Sequence, residues 1–484
     1  MLFNSIGYLI FLPVTVLLYY ALPFRWRWAV LLAASYFFYL LWRAEFVVVL
    51  ITATLVSYLA ALKMGELTNK KQRFKYLIPS IVINLGMLVF FKYLGFFTEI
   101  ANQIAGVAGR NNVFPMYSIL LPIGISFYTF QTIGYAVDVY RGVIKPEKNI
   151  GIYALFVSFF PLILAGPIER GRRLLPQFHL THAFDPDLFT SGLRRILWGM
   201  FKKIAIADRL SMFAEPVFND IGSFHGPEIG IALILKMMQV YADFSGYTDI
   251  AIGSARLLGF RLSPNFNRPF SAQSIADFWS RWHISLTSWL RDYVYFSLPF
   301  KYKGKNVTWR ANLNLFIVFI LVGFWHGPYW NFIIFGLLQG TYIVLANIFR
   351  PAMTRFNQAS GLSGSPRLLK GLNITATFLL VCSSAFFFGA HPLSDAFMMI
   401  RNLADFSRTN NAILLPLLKN ADLVLGIALV VFMLWFEYMV ALKSLASKFL
   451  SKPVVIRYSA YLFMLFFLLV FGVFSSQKFF YFQF

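Results

Sequence analysis

Leu313-Asn-Leu-Phe-Ile-Val-Phe-Ile-Leu-Val322 runs straight into Gly323-Phe324-Trp325-His326-Gly327-Pro328, and a second apolar run, residues 332–346, follows at once. Two adjacent apolar stretches read as membrane helices, and His326 stands between them. An ionisable side chain at membrane depth is costly, so by default it marks a functional site. The plainer alternative is a histidine at the membrane–water interface or at a helix end.

The rest of the chain has the same character. Of 484 residues, 58% are hydrophobic, 19% aromatic and only 13% charged, against about a quarter charged in ordinary soluble domains. Apolar stretches of about 20 residues recur, each long enough to cross a bilayer as a helix. The short alternating segments of a transmembrane barrel are absent. The expectation is an all-α polytopic membrane protein of about eleven spans, drawn from residues 6–22, 28–42, 46–62, 76–97, 117–137, 150–168, 229–252, 313–325, 332–346, 374–390, 423–442 and 458–474. Residues 28–42 and 313–325 are short for a span. No repeat, low-complexity tract or Ser/Gly linker divides the chain, so residues 1–484 read as one membrane-embedded domain.

The formal charge of +23 falls mostly in loops between apolar runs, the pattern of cytoplasmic loops and not of a nucleic-acid binder. Arginine-rich loops also suit anionic headgroups or a phosphorylated ligand such as coenzyme A. Lys63, Lys70, Lys71, Arg73 and Lys75 place one loop in the cytoplasm, as do Arg141 to Lys148, Arg350 to Lys370, and Lys443, Lys448, Lys452 and Arg457. Counting spans from these loops puts both termini outside. Arg25 and Arg27 follow the first apolar run, which reads as a retained helix and not a cleaved leader. Arg170, Arg172 and Arg173 also call for the cytoplasm, directly after residues 150–168. A re-entrant hairpin bent at Pro161 or Gly166-Pro167 removes that conflict, and broken backbone at depth implies a protein-lined cavity. Residues 261–310 are too polar to span and too aromatic for a solvated loop, so interfacial amphipathic helices are expected there. The sequon Asn306-Val307-Thr308 falls on the cytoplasmic side of this topology and is discounted.

Three polar constellations carry the chemistry. Tyr241-Ala-Asp243-Phe-Ser-Gly246-Tyr-Thr-Asp249 puts two carboxylates in one span, six apart and therefore on different faces; pairing with a nearby Arg competes with a catalytic role. Ser263-Pro-Asn265-Phe-Asn267-Arg268-Pro-Phe270 leads to Asp277-Phe-Trp279-Ser-Arg281-Trp282-His283-Ile-Ser285. There Asp277, Arg281 and Ser285 repeat every four residues, as do Trp279 and His283. Singly each is ordinary helix support; together they read as a site lining. The third constellation is His326 with Trp325, Gly327 and Asn331. Two histidines without acidic neighbours at ligand spacing make a metal site improbable. The lone Cys382 forms no disulfide within the chain and reads as a small packing residue. Gly336-Leu-Leu-Gln339-Gly340 is a helix-packing pattern. Acyl transfer needs a base for a hydroxyl or thiol proton, and a desolvated neutral imidazole suits that task near pH 7.

At these residues the chain resembles the membrane-bound O-acyltransferases. It is most similar to their bacterial branch, whose members include the alginate O-acetylation membrane protein, peptidoglycan and cellulose O-acetylation proteins and the teichoic-acid D-alanylation protein. The resemblance covers most of the chain. It is carried by Leu121-Pro-Ile-Gly-Ile-Ser-Phe-Tyr128, Asp243-Phe-Ser-Gly-Tyr247, Asn265-Phe-Asn-Arg-Pro269, Phe278-Trp-Ser-Arg-Trp-His-Ile-Ser285 and Trp325-His-Gly327, with the tail Tyr481-Phe-Gln-Phe484 also similar.

The resemblance implies helices ringed around a central tunnel, with His326 and His283 as the catalytic residues: His326 matches the family histidine, and His283 a second position that carries Asn, Asp or His in the family. It also implies acetyl-coenzyme A as cytoplasmic donor, with no bound cofactor. An extracytoplasmic partner protein then passes the acyl group to an envelope polysaccharide, and the enzyme sits in the bacterial inner membrane. Asn267, Arg268, Asp243, Trp279, Arg281 and Trp325 are the expected donor-side residues. Two other readings compete. A transporter or flippase needs paired halves with broken helices, which the sequence lacks. A scaffold for a separate acyltransferase tolerates loss of His326.

Overall fold

The computed structural model describes residues 1–110, 113–115, 119–164, 166–298, 307–390, 392–408, 419–441 and 448–474. Residue 117, Asn306 of the sequon and the tail 481–484 lie outside them. Among the described residues all regular structure is helical. The first helices are α1 (Ile6–Ala21), α2 (Phe24–Leu40), α3 (Val47–Glu66), α4 (Lys70–Val107), α5 (Ile125–Arg141), α6 (Ile150–Ser158), α7 (Phe160–Ile163) and α8 (Gly171–Phe178). Then come α9 (Pro186–Met200), a π-helical turn over Phe201–Ala207, α10 (Asp208–Asn219), α11 (Pro227–Leu257), α12 (Ile275–Arg281) and α13 (Ile284–Tyr293). The last labelled helices are α14 (Val307–His326), α15 (Trp330–Ala359), α16 (Pro366–Gly389) and α17 (Leu393–Ala404), and Ala421–Ala441 and Val454–Phe471 follow.

Eight helices among the described residues are long and apolar enough to cross a bilayer, fewer than the eleven expected. The shortfall has local causes. Leu22 is extended before Pro23 and ends α1 after 16 residues. The span expected from residue 117 starts at Ile125, behind Gly124 at φ 73°. A side chain at Gly124 would meet the Ile163 carbonyl. The stretch 313–325, expected to be short, belongs instead to the 20-residue α14. One apolar helix is left almost uncovered: Val454–Phe471 buries only Leu468 of its 18 residues. An apolar surface of that extent fits lipid and not water.

The chain divides into two compact units. The first comprises Met1–Ile196, Thr248–Pro264 and Ser288–Tyr293. Here α3 packs on α4, α5 and α6 and buries Leu50, Ala53, Thr54, Ser57, Ala61 and Met64, a stripe of helical period. Its hydroxyls return to the helix's own carbonyls, Thr54 to Leu50 and Ser57 to Ala53, so none is left unbonded in a dry interior. The expected break within 150–168 is present: the backbone bends at Phe159 (φ −48°, ψ 110°), two residues before Pro161, and helix ends again at Ile163, before Gly166-Pro167. Proline lacks the N–H and its ring clashes with the carbonyl four residues back, so the bend falls before it, and Pro161 sits in the first turn of α7. The whole of 151–163 is buried, which is where broken backbone is tolerated.

The second unit comprises Leu197–Tyr247, Asn265–Thr287 and Val294–Phe484. Its most closely packed helix pair is the α14–α15 hairpin, where glycine meets glycine. A Cβ on Gly336 would strike the Phe319 carbonyl and Gly323, and one on Gly323 the Phe332 carbonyl. The small-residue pattern at Gly336 therefore packs helix on helix, as expected. Cys382 is buried.

Two expectations need correction here. Residues 261–298 form short helices with Phe278, Trp279, Trp282 and His283 buried inside the protein, in place of amphipathic helices lying on a surface. The four-residue spacing also stops at Arg281: α12 ends there and His283 takes a left-handed conformation (φ 45°), so Ser285 does not share the Asp277–Arg281 face.

Candidate active site

Helices α11, α12, α14, α15 and α16 of the second unit enclose a cavity of about 30 Å³. That is room for a water molecule or two. His326, the last residue of α14, lines it and is 3% exposed. Its ring lies edge-on to Phe388 at 4.9 Å and Phe335 at 5.8 Å, with Trp325 at 5.0 Å. The turn after α14 is tight because Gly327 lies against the Phe332 ring, where a Cβ does not fit. The Asn331 amide donates to the Ala390 carbonyl and ties that turn to the end of α16.

The cavity has one polar wall. The Trp279 indole N–H donates to Gln339 Oε1 at 2.9 Å, Gln339 Nε2 donates to Ser384 Oγ at 2.9 Å, and Ser384 Oγ donates to the Val381 carbonyl at 2.6 Å. The remaining lining is carbon, from Met237 and Val240 to Phe335, Ala385 and Phe388.

His283 does not line the cavity. It is fully buried, edge-on to Phe244 at 4.8 Å and to Trp325 at 5.7 Å. Asn265 Oδ1 accepts from the Ser285 backbone N–H at 3.2 Å and the Ser285 hydroxyl at 2.8 Å, and faces His283 Nδ1 at 3.1 Å. A backbone N–H only donates, so the atom it meets is the Asn265 oxygen. His283 Nδ1 must then carry the hydrogen, leaving the lone pair on Nε2. Burial pushes the His283 imidazole down to about 3, so it is neutral at physiological pH. The left-handed backbone here and at Arg268 (φ 49°) folds the 265–270 loop against the α12 end, where the Asn267 N–H donates to the Arg281 carbonyl at 2.9 Å and the Ile284 N–H to the Asn265 carbonyl at 2.9 Å.

The other expected site residues lie off the cavity. Arg281 pairs with Asp277 at 2.7 Å, as its spacing predicts. Asn267 is exposed, and Arg268 Nε is buried with no hydrogen-bond partner among the described residues. Asp243 is buried and paired, with a lysine in place of the expected arginine: Lys203 Nζ lies 2.8 Å from both Asp243 and Asp208. Asp249, on another face of α11, pairs with Arg195 at 2.8 Å. Trp325 separates His326 from His283.

The profile of the MBOAT, membrane-bound O-acyltransferase family matches residues 149–362, a span that holds both histidines and the cavity wall up to Gln339. A Pseudomonas aeruginosa protein named "Probable alginate O-acetylase AlgI" is 39% identical over 84% of this chain and 75% of its own length. The chain belongs to the membrane-bound O-acyltransferase family. A Helicobacter pylori peptidoglycan O-acetyltransferase is 32% identical over 83% of this chain and 80% of its own, and a Bacillus subtilis teichoic acid D-alanyltransferase 31% over 57% and 71%. The protein is thus an O-acyltransferase and a multi-pass membrane protein.

Sequence reading of this acyltransferase missed four side chains that the fold makes central. Gln339 was absorbed into a packing pattern and Ser384 into an apolar run. Asn265 stood in a quoted motif beside Asn267, and only the buried hydrogen bonds distinguish it. Lys203 lies in 186–219, whose charges exclude it as a span, yet Lys202, Lys203, Asp208 and Arg209 are all buried. A π-helical turn at Lys202-Lys203 is the kind of irregularity that often accompanies function.

Proposed function

We propose that this acyltransferase moves an acetyl group from a cytoplasmic thioester, acetyl-coenzyme A, for O-acetylation of an envelope polysaccharide. In this reading His326 is the general base. The chain acts as one membrane-embedded domain in the bacterial inner membrane, with both termini outside and about eleven spans ringed around a tunnel. An extracytoplasmic partner completes delivery to the polymer. The observation that carries the proposal is His326 on a mostly apolar cavity that it shares with one fixed polar wall. A dry imidazole there is placed to take a hydroxyl proton. The relatives' names favour acetyl over D-alanyl by identity and coverage.

The remaining assignments follow from position. His283 fixes the Trp325 side of the site from behind, held by Asn265. Arg268, Asn267 and Arg281 form the donor approach, where a guanidinium suits a phosphate. Asp243, engaged by Lys203, holds α11 against the π-helical turn and acts on the donor only through that packing. The cavity's size requires side-chain movement before an acetyl thioester enters. The test is radiolabelled acetyl transfer in membranes carrying wild-type or His326→Ala protein at equal folded levels. Transfer that vanishes with His326 is the expected result; equal transfer by both proteins sinks the assignment.

A further inference from the structure

We propose that Gln339 is a catalytic residue of this transfer, whose second amide hydrogen holds the thioester carbonyl oxygen as charge develops on it. The proposal rests on the reading of His326 as base.

The orientation of the Gln339 amide is fixed by chemistry. An indole N–H only donates, so the atom facing Trp279 is Oε1, and Nε2 therefore faces Ser384. Ser384 spends its own hydrogen on the Val381 carbonyl and so must accept from Nε2. This uses one of the two Nε2 hydrogens, and no described residue accepts the other. Gln339 and Ser384 are each 1% exposed, so bulk solvent does not reach this hydrogen, and the thioester oxygen displaces any water held in the small cavity. An amide on a bilayer-spanning helix is costly to keep without a role. Packing alone would be met by Leu or Met at lower cost.

The reaction supplies the missing acceptor. The acceptor hydroxyl gives its proton to His326 and its oxygen bonds to the thioester carbon. The carbonyl π electrons move onto oxygen. When they return, the C–S bond breaks, and the thiolate takes the proton back from the imidazolium. Thioester and alcohol become ester and thiol with nothing left over. A histidine acting as base is not placed to donate to the oxyanion as well, so a second donor is needed. Gln339 is neutral, rigidly held and on the cavity wall. Trp279 and Ser384 are positioning residues acting through it.

The test uses membranes of the source bacterium, in which acceptor and partners are present, carrying full-length protein and given radiolabelled acetyl-coenzyme A. Gln339→Glu keeps the shape and both neighbours, because Trp279 still donates to one oxygen and Ser384 can turn its hydrogen to the other. Gln339→Met removes the donor without a charge. We expect kcat to fall about 10²–10³-fold in both, the cost of losing one oxyanion donor, with the donor KM within about threefold. Ser384→Ala leaves the amide but frees its swing, so kcat falls by a smaller factor at the same KM. Wild-type kcat in both Gln339 variants overturns the proposal, as does a raised KM at unchanged kcat. Failure of every one of these variants to accumulate as folded protein would make the relay structural and also overturn it. His326→Ala, run in parallel, separates the two readings. Activity in His326→Ala sinks the base assignment, whereas an inactive His326→Ala beside fully active Gln339→Met and Gln339→Glu sinks only the role of Gln339.

Discussion

His283 shows how one residue can be constrained twice. Its backbone sits at φ 45°, a conformation that Asn, Asp and His enter more readily than other residues with a Cβ. Its ring sits where no charge is tolerated. His283→Asn is therefore expected to fold, with its own amide donating to Asn265. His283→Val, β-branched in a left-handed conformation, should lose about 1–3 kcal/mol. The pH dependence has a definite sign. With a folded value of about 3 against about 6.5 unfolded, the unfolded chain binds the extra proton between those limits. Stability is full above pH 6.5 and falls on acidification, by up to about 1.4 kcal/mol per pH unit. Thermal melts at pH 7.5 and 5 should show a gap that narrows in His283→Asn; an unchanged gap would place the acid sensitivity elsewhere. His326 and Trp279, which line the cavity, were legible as candidates because an ionisable or aromatic side chain stands out in its stretch of sequence. Gln339 was not, because its partners lie 60 and 45 residues away and no spacing in the chain announces them.

Among the helices, existence was easier to read than boundaries. The cores of α3, α4, α11, α15 and α16 follow directly from uninterrupted apolar length. The ends of α5 and α6 depend on Gly124 and Phe159, where backbone geometry and a neighbouring carbonyl decide. The segment 186–219 was illegible as a buried element because its cations are neutralised by carboxylates elsewhere in the chain, Lys203 by Asp243 and Lys202 by Glu437 at 3.8 Å. In the proposed reading the α14–α15 hairpin matters most, since the Gly323–Gly336 contact lies within one turn of His326. Gly336→Ala should cost about 1–3 kcal/mol by overpacking and reduce transfer more than it reduces folded protein. Gly371→Ala, in α16 with open space around it, should be neutral or stabilising by up to about 1 kcal/mol. Equal melting temperatures for the two variants would mean that the hairpin tolerates separation and that the glycine contact does not set the site.

Over the whole molecule, composition and loop charge carry most of what the sequence says, and their boldest claim is orientation. Helix α4 makes that claim measurable. Its 38 residues extend about 57 Å at about 1.5 Å each, longer than a bilayer of about 40–45 Å with its headgroups. Lys71 near its start and Val107 at its end, 94% exposed, therefore belong on opposite sides of the membrane. Basic residues cluster at the first end, so that end should be cytoplasmic, along with Lys452. The single native thiol, Cys382, is 6% exposed and gives a nearly silent background for labelling. An impermeant maleimide should modify Val107→Cys in intact spheroplasts, and Lys71→Cys and Lys452→Cys only after the membrane is opened. The reverse pattern would turn the protein over.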